Sequence, residues 1–490
     1  TAATSITLND TLINTSGGAA LGGGNAVGTG GAITMGDPLT IATGAVHLNT
    51  GSSSGGNITT STVDGNTSIA FTSGSGSIST GILGGNTPIT GLTYTGDATT
   101  LSSNVTVAGN FEVTGAATLG DHITINTSSG NGSITFGSTI DGNKNLTLSS
   151  GSGAVAIQGI LGGGTGIGNL DINKSAGTGS IEVFDIGDSG TIGATGTVDI
   201  GNSTTTSITL DGTTYNTDGN TEFEATATGA SIKLTGVSPV MTMAAGHTLK
   251  FTTADVELSG TSGTGDVGTT TFTAPGGATF AGDIIGKSGM SGTESLTIET
   301  GGGALDIGGS IGGSGKAIGT LLINSSGNGT IAIAGIGTSS AVGVSGTTTI
   351  GNSSTGSITL DGAEYNTTGA QTYEATGGTN IDITGTATEI ATAGANITFS
   401  TADLELNNDG TTTITSGGSS NAGNISFAGA IEANGTSDVL TIVSGAGSVS
   451  FSDVIGKTHE LAGLNVNAGE TDGAGNITFS GDIGFSDGGG

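Results

Sequence analysis

The chain repeats itself, and that constrains its fold more than any other feature. Asn145-Leu-Thr-Leu-Ser-Ser-Gly-Ser-Gly-Ala-Val-Ala-Ile157 returns 150 positions later as Ser295-Leu-Thr-Ile-Glu-Thr-Gly-Gly-Gly-Ala-Leu-Asp-Ile307. The same offset carries Gly162-Gly163 to Gly312-Gly313, and both copies continue alike, through Leu170-Asp-Ile-Asn173 and Leu321-Leu-Ile-Asn324. It also carries Ser207-Ile-Thr-Leu-Asp-Gly212 to Ser357-Ile-Thr-Leu-Asp-Gly362, and Tyr215-Asn-Thr to Tyr365-Asn-Thr. Phe251-Thr-Thr-Ala-Asp-Val-Glu-Leu258 reappears as Phe399-Ser-Thr-Ala-Asp-Leu-Glu-Leu406. Self-similarity at a fixed period is the signature of a tandem array. The expected organisation is a segment at 1–66, a partial repeat at 67–144, repeats at 145–294 and 295–438, and a partial repeat at 439–490, all in one continuous array.

Within each repeat, apolar residues alternate with Thr, Ser, Asn or Asp, as in Ser133-Ile-Thr-Phe136, Ser207-Ile-Thr-Leu210 and Asn476-Ile-Thr-Phe479. A period of two means short strands with one buried face. Gly-Ser-Gly, Asp-Gly, Asn-Gly and Gly-Gly clusters separate them and supply the positive φ of tight corners. No helical period is sustained. With 99 glycines, a chain this poor in charge is either disordered or built on a thin, continuous core. The regular placing of its 33% apolar residues favours the core.

A sandwich core calls for larger aromatics, and this chain has no Trp and four Tyr. Ile, Val, Leu and Ala instead stack well on identical neighbours one strand spacing away. Only Pro38, Pro88, Pro239 and Pro275 interrupt the supply of backbone donors. The sequence therefore predicts an all-β parallel β-helix, or β-solenoid, right-handed by analogy with crossover rules, with roughly 20 to 25 residues in each turn.

Charge excludes several functions. There are 39 acidic residues against seven Lys, giving a net charge of −32. Nucleic acid and anionic lipid both need a basic patch, so neither is an expected partner. No apolar run is long enough to insert in a membrane as a helix. Without Cys there is no disulfide framework, thiolate metal site or Cys nucleophile.

The run Leu-Thr-Leu-x-x-Gly-x-Gly-x-Val-x-Ile, followed by Gly-Gly and Leu-x-Ile-Asn, resembles the β-strand repeats of very large bacterial surface and secreted proteins. It is similar to those of filamentous-haemagglutinin-like adhesins. The resemblance covers residues from about 60 to the end and implies a right-handed parallel β-helix, export to the cell surface or medium, and a role in adhesion, matrix or coating. The amino-terminal secretion domain of those adhesins has no counterpart here.

Candidate chemistry is sparse. Asp255-Val-Glu257 and its copy Asp403-Leu-Glu405 each place two acids on one side of a strand. Paired acids serve polysaccharide cleavage on some solenoids, but these pairs are duplicated and have only Lys250 nearby, as outward decoration would. Calcium is the one cofactor they suggest, making Asp255, Glu257, Asp403 and Glu405 candidate ligands. Leu161-Gly-Gly-Gly-Thr-Gly-Ile-Gly168 lacks the Asp of a calcium-binding Gly-rich repeat, and Leu21-Gly-Gly-Gly-Asn25 lacks the Gly-Lys-Ser/Thr of a phosphate loop. His47, His122, His247 and His459 are never at metal-ligand spacing. Asn104, Asn131, Asn145, Asn328, Asn396 and Asn476 head glycosylation sequons. Phe111, Tyr215, Phe223, Tyr365 and Tyr373 offer sugar-stacking rings or core packing.

These features predict no catalytic residue and a non-enzymatic, extracellular structural protein whose solenoid rod belongs to a surface filament, sheath or matrix, with other copies of itself as partner. The alternative is an adhesin stalk that binds glycans or neighbouring cells. The segment Val237 to Ala245, which differs from the shorter Ala387 to Ala393, is the candidate receptor site. A polysaccharide lyase or hydrolase is the third reading.

Overall fold

The computed structural model describes residues 6–8, 12–15, 30–42, 44–227, 232–259, 268–287, 294–313, 316–324, 326–417, 423–468 and 475–484. Among them every regular element is a β-strand and every pairing between named strands is parallel. This is the β-solenoid architecture that the alternating pattern predicts. The chain divides into two compact units, Thr1–Lys233 and Leu234–Gly490, and the division falls within the 145–294 repeat.

In the first unit, Val105–Thr106, Ile123–Asn126, Leu146–Ser149, Leu170–Ile172, Val198–Gly201 and Thr221–Glu224 stack as one ladder. A second ladder places Phe111 against Ile134, Ile134 against Val155, Val155 against Ile181 and Ile181 against Ile208. The long strands Ser68–Thr80 and Gly91–Leu101 run round a corner, and their pairing shifts register at Gly74. Most three-residue strands bury their two ends and turn the middle residue outward, as Ile134-Thr-Phe136 and Ile208-Thr-Leu210 do. Identical register then sets Ile on Ile and Thr on Thr.

The second unit is built in the same way. Leu249–Thr252, Ala278–Phe280, Leu305–Ile307, Ile331–Ile333, Ile358–Leu360, Asn380–Ile383, Asp403–Leu406 and Ile431–Ala433 form one of its ladders. Inside another, the rings of Tyr373, Phe399, Phe427, Phe451 and Phe479 stack nearly parallel, with successive centroids 5.2, 5.1, 5.2 and 4.8 Å apart. That spacing is close to one strand separation, so the parallel ladder itself sets the stacking distance.

Turn length is looser than expected. Among the described pairings it runs from 18 residues between Ala98 and Ala116 to 35 between Leu12 and His47, because corner loops vary in length. The corners use glycine where no side chain fits. Gly201 has φ of 82°, and a Cβ there would stand 2.3 Å from the carbonyl oxygen of Glu224 on the next turn. Gly351 repeats the arrangement against Glu374, with φ of 80° and 2.2 Å.

Candidate functional site

The polar side chains at the corners close the backbone of the adjoining turn. Asn104 Oδ1 accepts from Thr124 N at 2.8 Å, Asn131 from Ser152 N at 3.0 Å and Asn145 from Asn169 N at 3.0 Å. In the second unit Asn396 accepts from Asn424 N, and Asn424 in turn accepts from Ser448 N, both at 2.9 Å. Four of the sequon asparagines thus serve the structure, each supplying a carbonyl oxygen to a backbone N–H that a turn leaves unpaired. Sequence reading missed this role, since the signal is only an Asn or Asp before a strand in successive turns.

Carboxylates play the same part. Asp141 Oδ1 receives Gly164 N at 2.7 Å and Thr165 N at 2.9 Å. The Gly-rich stretch 161–168 therefore directs two of its N–H groups at a carboxylate from the preceding turn. Leu21–Asn25 lies outside the described residues.

The two candidate calcium-binding pairs fall on separate ladders of the second unit, Glu257 on the strand Val256–Leu258 and Asp403 and Glu405 on Asp403–Leu406. Asp255 Oδ1 accepts from Asp283 N at 2.9 Å, and Asp283 continues the series by accepting from Ser310 N at 2.7 Å. Asp403 Oδ1 accepts from Ala430 N at 2.8 Å. Glu257 faces outward opposite Ile285, whereas Glu405 lies between Asp382 and Glu432 and receives a hydrogen bond from the Asn380 amide. Burial, then the neighbouring Asp382 carboxyl, raises Glu405 above the ordinary carboxylate range, and burial raises Asp382 as well. Among the described residues no three His, Asp or Glu side chains converge as a metal-binding group.

A comparable acidic row in the first unit has a counter-charge. Asp171, Asp199 and Glu222 stand in register on successive strands, and Lys174 Nζ reaches Glu222 at 2.6 Å and Asp199 at 3.7 Å. The histidines act singly. His47 Nε2 lies 2.9 Å from Thr72 Oγ1, with burial lowering its pKa; His122 Nδ1 accepts from Asn145 N at 3.1 Å; the His459 backbone N–H donates to Glu432 at 2.8 Å.

The candidate sugar-stacking rings are core residues: Phe111, Tyr215, Phe223, Tyr365 and Tyr373 are all buried. Where the repeats diverge, Val237 and Val240 are exposed by 47% and 40%. The first unit also carries an open trough of about 460 Å³ lined by Ser52, Thr95, Asp97, Thr114 and Ser138 over a glycine floor. Its one carboxylate has no basic residue among the lining groups, so the trough offers hydroxyls and backbone but no acid–base pair.

The chain matches no protein-family model, no curated protein and no solved structure.

Proposed function

We propose that this chain is a non-enzymatic, extracellular structural protein, a solenoid component of a microbial surface filament, sheath or matrix that associates with further copies of itself. The observation that carries this reading is how the polar groups are used. Asn104, Asn145, Asn396, Asn424, Asp141, Asp255 and Asp403 are occupied in closing adjacent turns. One ladder of the second unit carries an outward row of hydroxyl side chains, Thr349, Thr372, Thr398, Ser426 and Ser450, repeated at one strand spacing. A hydrolase or lyase needs a unique acid and base held within reach of one bond, and repetition works against such a unique site.

The proposed build is a right-handed solenoid of tandem units of about 150 residues. Recurrent contacts support the tandem unit: Gly212 N donates to Tyr215 Oη at 3.0 Å, and Gly362 N to Tyr365 Oη at 3.0 Å. Asn202 Nδ2 likewise donates to Asn173 O, as Asn352 Nδ2 does to Asn324 O. Electron microscopy of the purified chain at rising concentration tests the functional reading. Fibres or sheets with a regular repeat are the expected result. Particles that stay separate at every concentration, yet bind surfaces bearing glycans, would replace it with the adhesin reading.

A further inference from the structure

One turn of the first unit buries a carboxyl oxygen without a hydrogen-bond partner, and its counterpart in the second unit lacks the acids that surround it. The turn Asp211-Gly212-Thr213 joins the strands Ile208–Leu210 and Thr214–Thr217. It is held from the preceding strand, Ile181–Ile186, by several bonds. Asp185, 7% exposed, accepts from Thr213 N at 2.7 Å and from Thr214 N at 2.8 Å through Oδ1. Tyr215 Oη accepts from Gly212 N at 3.0 Å and donates to Val183 O at 3.3 Å, and Asp211 N donates to Val183 O at 3.2 Å. Amid these bonds, Asp211 Oδ1 is buried and has no hydrogen-bond partner.

Three carboxyls thus crowd one turn: Asp211 itself, with Glu182 and Asp185 from the neighbouring strand. The other titratable groups on elements around it are Tyr215 and Lys233, on the strand Ile232–Leu234 that pairs with Ile208–Leu210. A buried carboxylate oxygen with no donor beside two further carboxylates is costly, and a proton removes that charge.

The second unit holds the same turn without the crowd. Gly362 N donates to Tyr365 Oη at 3.0 Å, Tyr365 Oη to Ile333 O at 2.6 Å, and Asp361 N to Ile333 O at 3.3 Å. Ala332 and Gly335 stand 150 positions after Glu182 and Asp185. The turn therefore forms without the two acids, and their presence in the first unit is an addition.

We propose that the Asp211 turn is a proton-responsive element: in the folded first unit Asp211 binds a proton, and losing that proton as the medium turns alkaline loosens the turn. The electrostatics agree in direction. Burial raises the Asp211 carboxyl, its own backbone N–H partly offsets this, and the Asp185 charge raises it further; Glu182 is raised by burial and then by Asp211. A carboxyl raised on folding stabilises the folded state below the unfolded carboxyl range, and that contribution is lost as pH rises through the raised value. The inference goes beyond the structural-protein reading and holds whether or not copies of the chain assemble.

The test is hydrogen exchange by mass spectrometry on the full chain, comparing wild type with Asp211→Asn over peptides spanning 181–217. Comparing the two proteins at one pH cancels intrinsic exchange rates. At about pH 8 the variant should be the more protected, by up to about tenfold for each pH unit between the raised and ordinary carboxyl values, and at about pH 4 the two should agree. Asp361→Asn reports an amide at this position without the acidic neighbours and should give no such pH-dependent gain. Glu182→Gln, which only removes a like charge, should flatten the pH dependence and serves if Asp211→Asn folds poorly. The same offset at both pH values, or lower protection of the variant at pH 8, overturns the proposal. So does calcium protection of wild type at pH 8 that Asp211→Asn abolishes, because Asp211 would then be a cation ligand.

Discussion

The aromatic column of the second unit offers a measurement with its own control. Phe427 is 1% exposed and stacks on both sides, 5.1 Å from Phe399 and 5.2 Å from Phe451. Phe479 is 41% exposed and stacks on Phe451 at 4.8 Å. Truncating a buried Phe to Ala costs about 3–5 kcal/mol, including the cavity left behind, and each stacked pair accounts for about 0.5–1.5 kcal/mol of such losses. Phe427→Ala removes a full burial and two stacked pairs, so about 4–5 kcal/mol is expected. Phe479→Ala removes roughly three-fifths of a burial and one such pair, so about 2 kcal/mol is expected. Urea unfolding followed by circular dichroism, with hydrogen exchange to assign the transition to residues 234–490, measures both. Equal losses would refute the claim that stacking inside this ladder sets the cost.

Three further outcomes follow from the same contacts. Lys174→Met leaves Asp199 and Glu222 facing each other across one strand spacing; because all three groups are about one-third exposed, the loss should be only about 0.5–1 kcal/mol, and smaller melting-temperature shifts in high salt would check its electrostatic origin. Gly201→Ala should destabilise more than Gly246→Ala: both glycines have φ of 82°, but the new Cβ meets Glu224 O at position 201 and open space at 246, so melting should separate backbone strain of about 1 kcal/mol from strain plus clash. Asn424→Ala strands the Ser448 N–H and should cost about 1–2 kcal/mol, whereas Asn424→Asp keeps the acceptor and should cost less, as paired denaturation curves would show.

The solenoid was legible in the sequence because its evidence is local. Ser207-Ile-Thr-Leu210 shows which residues point inward without knowledge of its neighbours, and the glycine clusters mark the corners. What stayed hidden is the relation between turns. Asn396 and Asn424 lie 28 residues apart, and only the ladder brings one side chain to the other's backbone. Asp141 and the Gly-rich stretch 161–168 likewise meet only when one turn is laid on the next. The pairs Asp255-Val-Glu257 and Asp403-Leu-Glu405 read as equivalent, yet Glu257 lies opposite Ile285 while Glu405 lies between two acids. Strand partners made that difference, and partners depend on turn lengths that a single sequence does not reveal.

In-register stacking treats apolar and charged residues oppositely. Ile on Ile gains contact at each turn, while acid on acid accumulates repulsion, as in Asp382, Glu405 and Glu432. The same arithmetic applies between molecules: at a net charge of −32, copies repel one another until salt screens them. At about 0.1 M ionic strength the screening length is about 10 Å, so approach to contact becomes easier through the physiological range and easier again with divalent cations. If association of copies rests on repeated uncharged Thr, Ser and backbone groups, raising salt should strengthen it. Sedimentation velocity across a salt series reads this directly. Assemblies that fall apart as salt rises would mean that specific ion pairs hold the copies together, and would rule out association through the repeated uncharged surface.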